Sequence, residues 1–201
     1  MPGFSPAWNP SALGGWIMGK LILVLGGARS GKSAFAEKKT RELALEGNSG
    51  VCYIATASAG DSEMAERISR HRARRPADWR TIEEQVDLCG AMNRLEPGEK
   101  VVLLDCMTLW VTNVMFGSKC HEKAENELES GILGLLDEFL DVVAASDTTV
   151  VAVSGETGMG IVPSDRVSRL FRDLLGIVNQ KMAEASWKTY FIAAGLPMEL
   201  K

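Results

Sequence analysis

The sequence predicts an α/β fold: a mostly parallel sheet with helices on both faces. Three observations predict it. Short, nearly all-apolar runs (Leu21–Leu25, Val51–Ala55, Val101–Asp105, Thr149–Val153, Thr189–Ala193) alternate with stretches of helical periodicity. Strands apolar on both sides belong in a parallel sheet covered on both faces. The pattern G-x-x-x-x-G-K-S, Gly26 to Ser33, follows the first strand directly. Beyond the first 19 residues, neither an internal repeat nor a linker divides the chain.

Each element has its own warrant. The helix from Ala34 to Leu45 ends in the turn cluster Glu46-Gly-Asn-Ser-Gly50. After the second strand, Asp61 or Ser62 offers an N-cap for a helix through about Ala73, closed by Pro76. Trp79 to Glu83 reads as extended, and Gln85 to Leu95 as a short helix stopped by Pro97-Gly98. Met107 to Phe116 begins another helix. From Glu122 to Ala145 one stripe gathers Leu128, Ile132, Leu135, Leu136, Phe139, Leu140 and Val143. A glycine-rich turn, Ser154 to Gly160, follows the fourth strand. Pro163 then leads into a helix with Val167, Leu170, Phe171, Leu174, Leu175 and Val178 inward. Residues 1–19 are rich in Pro, Gly and Ser, show no periodicity and lack the form of a signal peptide. They are expected to be a poorly ordered extension, with residues 20–201 forming one catalytic domain.

Composition narrows the class. A chain of 201 residues suits one domain burying roughly 70% of its unfolded surface. The net charge of −4 argues against a general nucleic-acid binder, which carries a basic surplus. No apolar run approaches the ~20 residues that span a bilayer. Cys52, Cys89, Cys106 and Cys120 form no C-x-x-C pair, and Cys52 and Cys106 sit in apolar strand-like runs. Reduced thiols in a cytoplasmic protein are expected.

Strand, glycine loop and helix together are the context in which Gly26 to Ser33 means a phosphate-binding P-loop. Gly26 and Gly31 let the backbone curl so that N–H groups, joined by the following helix dipole, face phosphate oxygens. Lys32 can reach the β- and γ-phosphates, and the Ser33 hydroxyl can ligate Mg²⁺. Val101 to Asp105 has Walker B form, an apolar run delivering a carboxylate at its C-terminal end. Asp105 can therefore hold Mg²⁺ beside Ser33, directly or through water, rather than merely cap the next helix.

Between Arg67 and Arg75 five arginines surround His71 in a chain that is acidic overall. Such a run is either a solvated basic face or a set of phosphate ligands. Its place after a strand end favours ligands, and cationic neighbours push His71 toward its neutral, nucleophilic form. His121 stands alone and reads as surface. Glu156, in the glycine-rich turn, can orient substrate or a proton, or can simply stabilise the turn.

These residues together resemble one family, the bifunctional adenosylcobinamide kinase/adenosylcobinamide-phosphate guanylyltransferases of cobalamin biosynthesis. The matching segments are Gly26 to Ser33, Tyr53 to Thr56, Glu63 to Glu83, Leu103 to Asn113, Gly155 to Pro163, Phe171 to Gln180 and Ala194 to Lys201. The resemblance implies phosphorylation of adenosylcobinamide with ATP or GTP, then transfer of GMP from GTP to the cobinamide phosphate. It implies a guanylylated histidine in R-I-x-x-H, which falls on His71. It also implies GTP contacts at Gly26, Gly27, Ala28, Arg29, Ser30, Gly31, Lys32 and Ser33, at Thr56, Ala57 and Ser58, at Arg72, Ala73, Arg74 and Arg75, and at Glu83 and Asp105. A RecA-like sheet and a homotrimer are further implications. Two departures stand out: Gly155 occupies a position where some members have Asn, and Arg70 precedes His71 where some have a second histidine.

Two other readings compete. A P-loop kinase that moves only the γ-phosphate has no use for His71. A GTP-dependent switch wants an N-K-x-D element, which is absent; the chain's D-x-x-G, Asp87 to Gly90, falls in an expected helix.

Overall fold

A computed structural model describes residues 19–57, 76–117 and 124–201. Seven strands form one sheet: β1 (Lys20–Gly26), β2 (Gly50–Ala55), β3 (Arg80–Glu83), β4 (Glu99–Asp105), β5 (Thr149–Gly155), β6 (Lys188–Ala193) and β7 (Leu196–Glu199). Five described helices accompany them: α1 (Lys32–Gly47), α2 (Leu88–Asn93), α3 (Met107–Gly117), α4 (Glu125–Ala145) and α5 (Arg166–Ala185). Across the sheet the order is β3-β2-β4-β5-β1-β6-β7, parallel except for the β6–β7 pair.

The expected parallel sheet covered on both faces is what forms. Along β1, Leu21, Leu23 and Leu25 enter the core under α2, α3, α4 and α5. Ile22 and Val24 enter a second core with Ala36, Phe35 and Leu43 of α1. Side chains alternate between two covered faces, which is why the run carries no polar residue. On α4, Leu128, Ile132, Leu136, Phe139 and Val143 are buried, whereas Leu135, expected in the stripe, is 37% exposed. No side chain caps the α4 N-terminus. The cap would contribute ~1 kcal/mol, against about 1.5–3 kcal/mol for each buried side chain, so packing holds this helix.

Several expectations shift. The stretch expected to be extended, Trp79 to Glu83, forms β3 from Arg80 onward; the C-terminal residues add β7, which the apolar pattern did not signal. β7 is exposed along its length, so no core-facing run marks it. The short helix contracts to α2, because the Asp87 side chain accepts from Gly90 N–H and starts it there. Asp87 of the D-x-x-G is thus a helix cap. Cys106 lies beyond the end of β4 rather than in a strand.

Candidate active site

The parallel strands all run the same way, so their C-terminal ends form one row. Across that row stand Glu83, Ala55 with Thr56, Asp105, Gly155 with Glu156, and Gly26, in strand order. Ligands gather at such ends in open α/β sheets.

The P-loop leaves β1 at Gly26, where geometry demands glycine. A Cβ there would stand 2.5 Å from Ser30 Oγ and 2.7 Å from the Ile192 carbonyl oxygen. The requirement at Gly26 is therefore close approach, whereas the left-handed turn falls at Arg29 (φ 57°) and Gly31 (φ 95°). Gly31 is also the α1 N-cap, and no side chain caps the helix there; Phe35 N–H makes a bond back to the Gly31 carbonyl. The first-turn N–H groups, at Lys32, Ser33 and Ala34, fall where a helix supplies no internal acceptor. The dipole end of α1 thus opens on the loop, an arrangement suited to an anion. Lys32 Nζ donates to the Gly27 carbonyl at 3.2 Å, spanning the loop mouth with a cation.

Asp105 ends β4, and β5 separates that strand from β1. Tyr53 OH donates to Asp105 Oδ2 at 2.8 Å, orienting the carboxylate. The Thr56 hydroxyl donates to the Cys106 carbonyl and accepts from Cys106 N–H, both at 2.8 Å. With its donor so engaged inside a buried residue, Thr56 locks the β2 and β4 ends together. Asn113 of α3 donates to the Thr56 carbonyl at 2.8 Å and completes the lock.

Mg²⁺ fits this donor set. A serine hydroxyl and one carboxylate are hard oxygen donors, and Mg²⁺ takes few protein ligands when phosphates and waters supply the others. Among the described residues no cluster of three or more His, Cys, Asp or Glu side chains could hold a metal alone.

Glu156 follows Gly155, and its N–H donates to the Gly26 carbonyl at 3.1 Å, tying this turn to the P-loop. Its carboxylate accepts from Gly158 N–H, so in this structure it closes its own turn. Met159, Ile161 and Val162 beyond it are exposed.

A family model described as "Cobinamide kinase / cobinamide phosphate guanyltransferase" (CobU) matches residues 22–200. The chain belongs to this family. Its relatives include the bifunctional adenosylcobalamin biosynthesis protein CobP of Pseudomonas aeruginosa, 42% identical over 179 residues, spanning 89% of this chain and 96% of that one. The CobU protein of Escherichia coli, with the same description, is 41% identical over 187 residues, or 90% and 99% of the two chains. Among solved structures, one ATPase domain is similar with a TM-score of 0.50 at 14% identity. The match covers 86% of this chain and 68% of that one, and the likeness is one of fold. The RecA-like sheet expected of the CobU family is the architecture found.

For a CobU family member, the described residues include many of the expected site positions. Gly26, Gly27, Ala28, Arg29, Ser30, Gly31, Thr56, Ala57, Glu83, Asp105 and Glu156 stand at the strand ends or in the loops leaving them, and Lys32 and Ser33 open the first turn of α1. Ser58, His71, Arg72, Ala73, Arg74 and Arg75 lie outside the described residues. So do the helix expected over 61–73, His121, Cys120 and residues 1–18.

The free thiols of Cys52, Cys89 and Cys106 are not poised for reaction. Burial, helped by the Asp105 carboxylate, pushes Cys106 up to about 11. Burial, with the nearby Glu99 charge, does the same to Cys52. Both are neutral thiols at physiological pH, and the thiolate is the reactive form. A cavity of about 320 Å³ lies at the opposite end of β1, among Gly19, Leu21, Leu140 and Lys181, away from the strand ends that carry the site. No described helix is long and apolar enough to cross a membrane.

Sequence reasoning missed the contact of Tyr53 with Asp105. Tyr53 reads as one more apolar strand residue, and only the β2–β4 pairing sets its hydroxyl against Asp105.

Proposed function

We propose that this chain phosphorylates adenosylcobinamide with ATP or GTP and then transfers GMP from GTP to the product, releasing pyrophosphate and forming adenosylcobinamide-GDP. The observation that carries the reading is the open, cation-spanned P-loop on the same row of strand ends as an oriented carboxylate, in a chain of this family.

In the first reaction the substrate hydroxyl oxygen attacks the γ-phosphorus, releases its proton to solvent and displaces the nucleoside diphosphate. The α1 N-terminus and the N–H groups of Gly27 to Ser33 hold the phosphates, and Lys32 leaves the Gly27 carbonyl to meet the charge moving onto the β–γ bridge. Ser33 and Asp105 would hold Mg²⁺, which supplies charge neutralisation on the phosphates. Tyr53 keeps the Asp105 carboxylate turned toward that position.

In the second reaction the neutral imidazole of His71 attacks the α-phosphorus of GTP and pyrophosphate departs. Arg72, Arg74 and Arg75 stabilise the departing charge. A phosphate oxygen of the cobinamide phosphate then attacks the guanylyl phosphorus and frees His71. The same family reading implies a cytoplasmic homotrimer, which light scattering checks by mass.

The test follows the label. Wild-type protein incubated with Mg²⁺ and α-labelled GTP should retain label as an acid-labile, base-stable phosphoramidate. His71→Asn should take up none while still phosphorylating cobinamide. Label persisting in His71→Asn, or both activities vanishing from a folded variant, would overturn this division of labour.

A further inference from the structure

At the end of β5 the backbone of one residue, Gly155, is gripped from both flanking helices. Thr108 Oγ1, in the first turn of α3, accepts from Gly155 N–H at 2.7 Å. Asn179 Nδ2, in the middle of α5, donates to the Gly155 carbonyl at 3.0 Å. Asn179 Oδ1 meanwhile accepts from the Ser154 hydroxyl at 2.6 Å. Ser154 and Asn179 are buried, and a Cβ on Gly155 would stand 2.9 Å from Thr108 Oγ1. The next residue, Glu156, donates its N–H to the Gly26 carbonyl, and Gly26 is level with Gly155 in the β1–β5 register. Asp105 in turn is level with Val153 in the β4–β5 register, two residues before Gly155.

A buried amide and two hydroxyls are a costly way to fill a core, since each must be fully paired before it stops opposing folding. Apolar side chains of the same shape would pack the sheet at least as well. What they cannot do is fix the direction of one peptide, and the peptide held here adjoins the first residue of the P-loop. We infer that Thr108 and Asn179 are positioning residues of the phosphate site. They act through Gly155, setting Gly26 and the Glu156 turn in register with each other and with the Asp105 strand end. The inference rests on Gly26 to Ser33 being the phosphate cradle of the proposed reactions.

The test compares near-isosteric variants in the full chain. Thr108→Val and Asn179→Leu should each weaken binding of a fluorescent GTP analogue, or lower kcat for cobinamide phosphorylation, by about tenfold. Thr108→Ser keeps the hydroxyl and should stay within twofold of wild type. The double variant Thr108→Val/Asn179→Leu should be no worse than its poorer parent, because both side chains act on one peptide. Ile132→Val, in the α4 core, provides a comparable fall in Tm and should change neither constant. The inference fails if Thr108→Val retains wild-type binding and kcat, if Thr108→Ser is as impaired as Thr108→Val, or if Ile132→Val matches their losses. Should Asn179→Leu not fold, the Thr108 pair decides alone. Direct binding separates this from the functional reading: a wild-type chain that binds GTP but transfers no GMP sinks the guanylyl step and leaves the positioning result standing. A wild-type chain that binds no nucleotide overturns both.

Discussion

Gly195 N–H donates to the Ser30 carbonyl at 2.7 Å, so the last hairpin of the chain braces the P-loop from behind. Ala194 and Gly195 form a two-residue turn with φ of 50° and 81°, the positive pair that matches a twisted β-hairpin. The turn brings Gly195 Cα to 3.1 Å from where a Cβ on Gly31 would stand. Lys201 Nζ then anchors the terminus by donating to the Ala183 and Glu184 carbonyls at the end of α5. Substituting Gly195→Ala should cost about 1–2 kcal/mol from the left-handed backbone alone. Gly195→Pro, which can neither adopt this φ nor donate to Ser30, should unseat the turn and lower the affinity for nucleotide as well as Tm, where Gly195→Ala mainly lowers Tm. Melting curves beside nucleotide titrations check the split.

Lys32→Ala should reduce phosphoryl transfer ~10²-fold or more, because several kcal/mol of charge stabilisation at the β/γ-phosphates is lost. The ammonium bonds to the Gly27 carbonyl, a contact at the loop mouth rather than in the core, so Tm should barely move. Full transfer by the variant would remove the P-loop assignment.

Tyr53→Phe tests the orientation of Asp105. Losing a hydrogen bond to a carboxylate costs about 1.5–3 kcal/mol. The Mg²⁺ concentration needed for half-maximal activity should rise roughly tenfold or more, and Asp105→Asn should raise it further. An unchanged Mg²⁺ titration in both would return Asp105 to a structural role.

An ion pair away from the site carries a pH signature. Arg80 Nε donates to Glu99 Oε1 at 2.7 Å, and Glu99 is buried. The Arg80 bonds hold the Glu99 carboxyl below its ordinary value despite burial, and they raise Arg80. A carboxyl lowered in the folded state stabilises above the unfolded value, about 4.3, and loses that contribution as pH falls through the folded value. Glu99→Gln should therefore cost about 2–3 kcal/mol at pH 7, less than for a fully buried pair because Arg80 is partly solvated. Its Tm should fall by about 4–12 °C. Melts from pH 7 down to pH 3 should show the gap between the two proteins closing; a constant gap would mean the pair contributes no charge-linked stability.

Features that depend on local pattern were legible in the chain before any fold was known. Nearly all-apolar runs announced β1, β2, β4, β5 and β6, because a doubly covered strand has room for few polar residues. The G-x-x-x-x-G-K-S spacing announced the P-loop, and the Walker B form marked Asp105, because both sit where an apolar strand stops. The helical stripe of α4 was legible for the same reason, apart from Leu135, which falls at the margin of the stripe. Meetings between distant residues came from the assembled sheet instead. Strand order set Tyr53 against Asp105 and Thr56 against Cys106, and no local spacing encodes pairing between strands about 50 residues apart. The exposed β7 carries no core-facing run, so its turn could not be seen bracing Ser30. Asn179 lies on the buried stripe of α5, where a polar residue looks like an interruption until the end of β5 packs beside it.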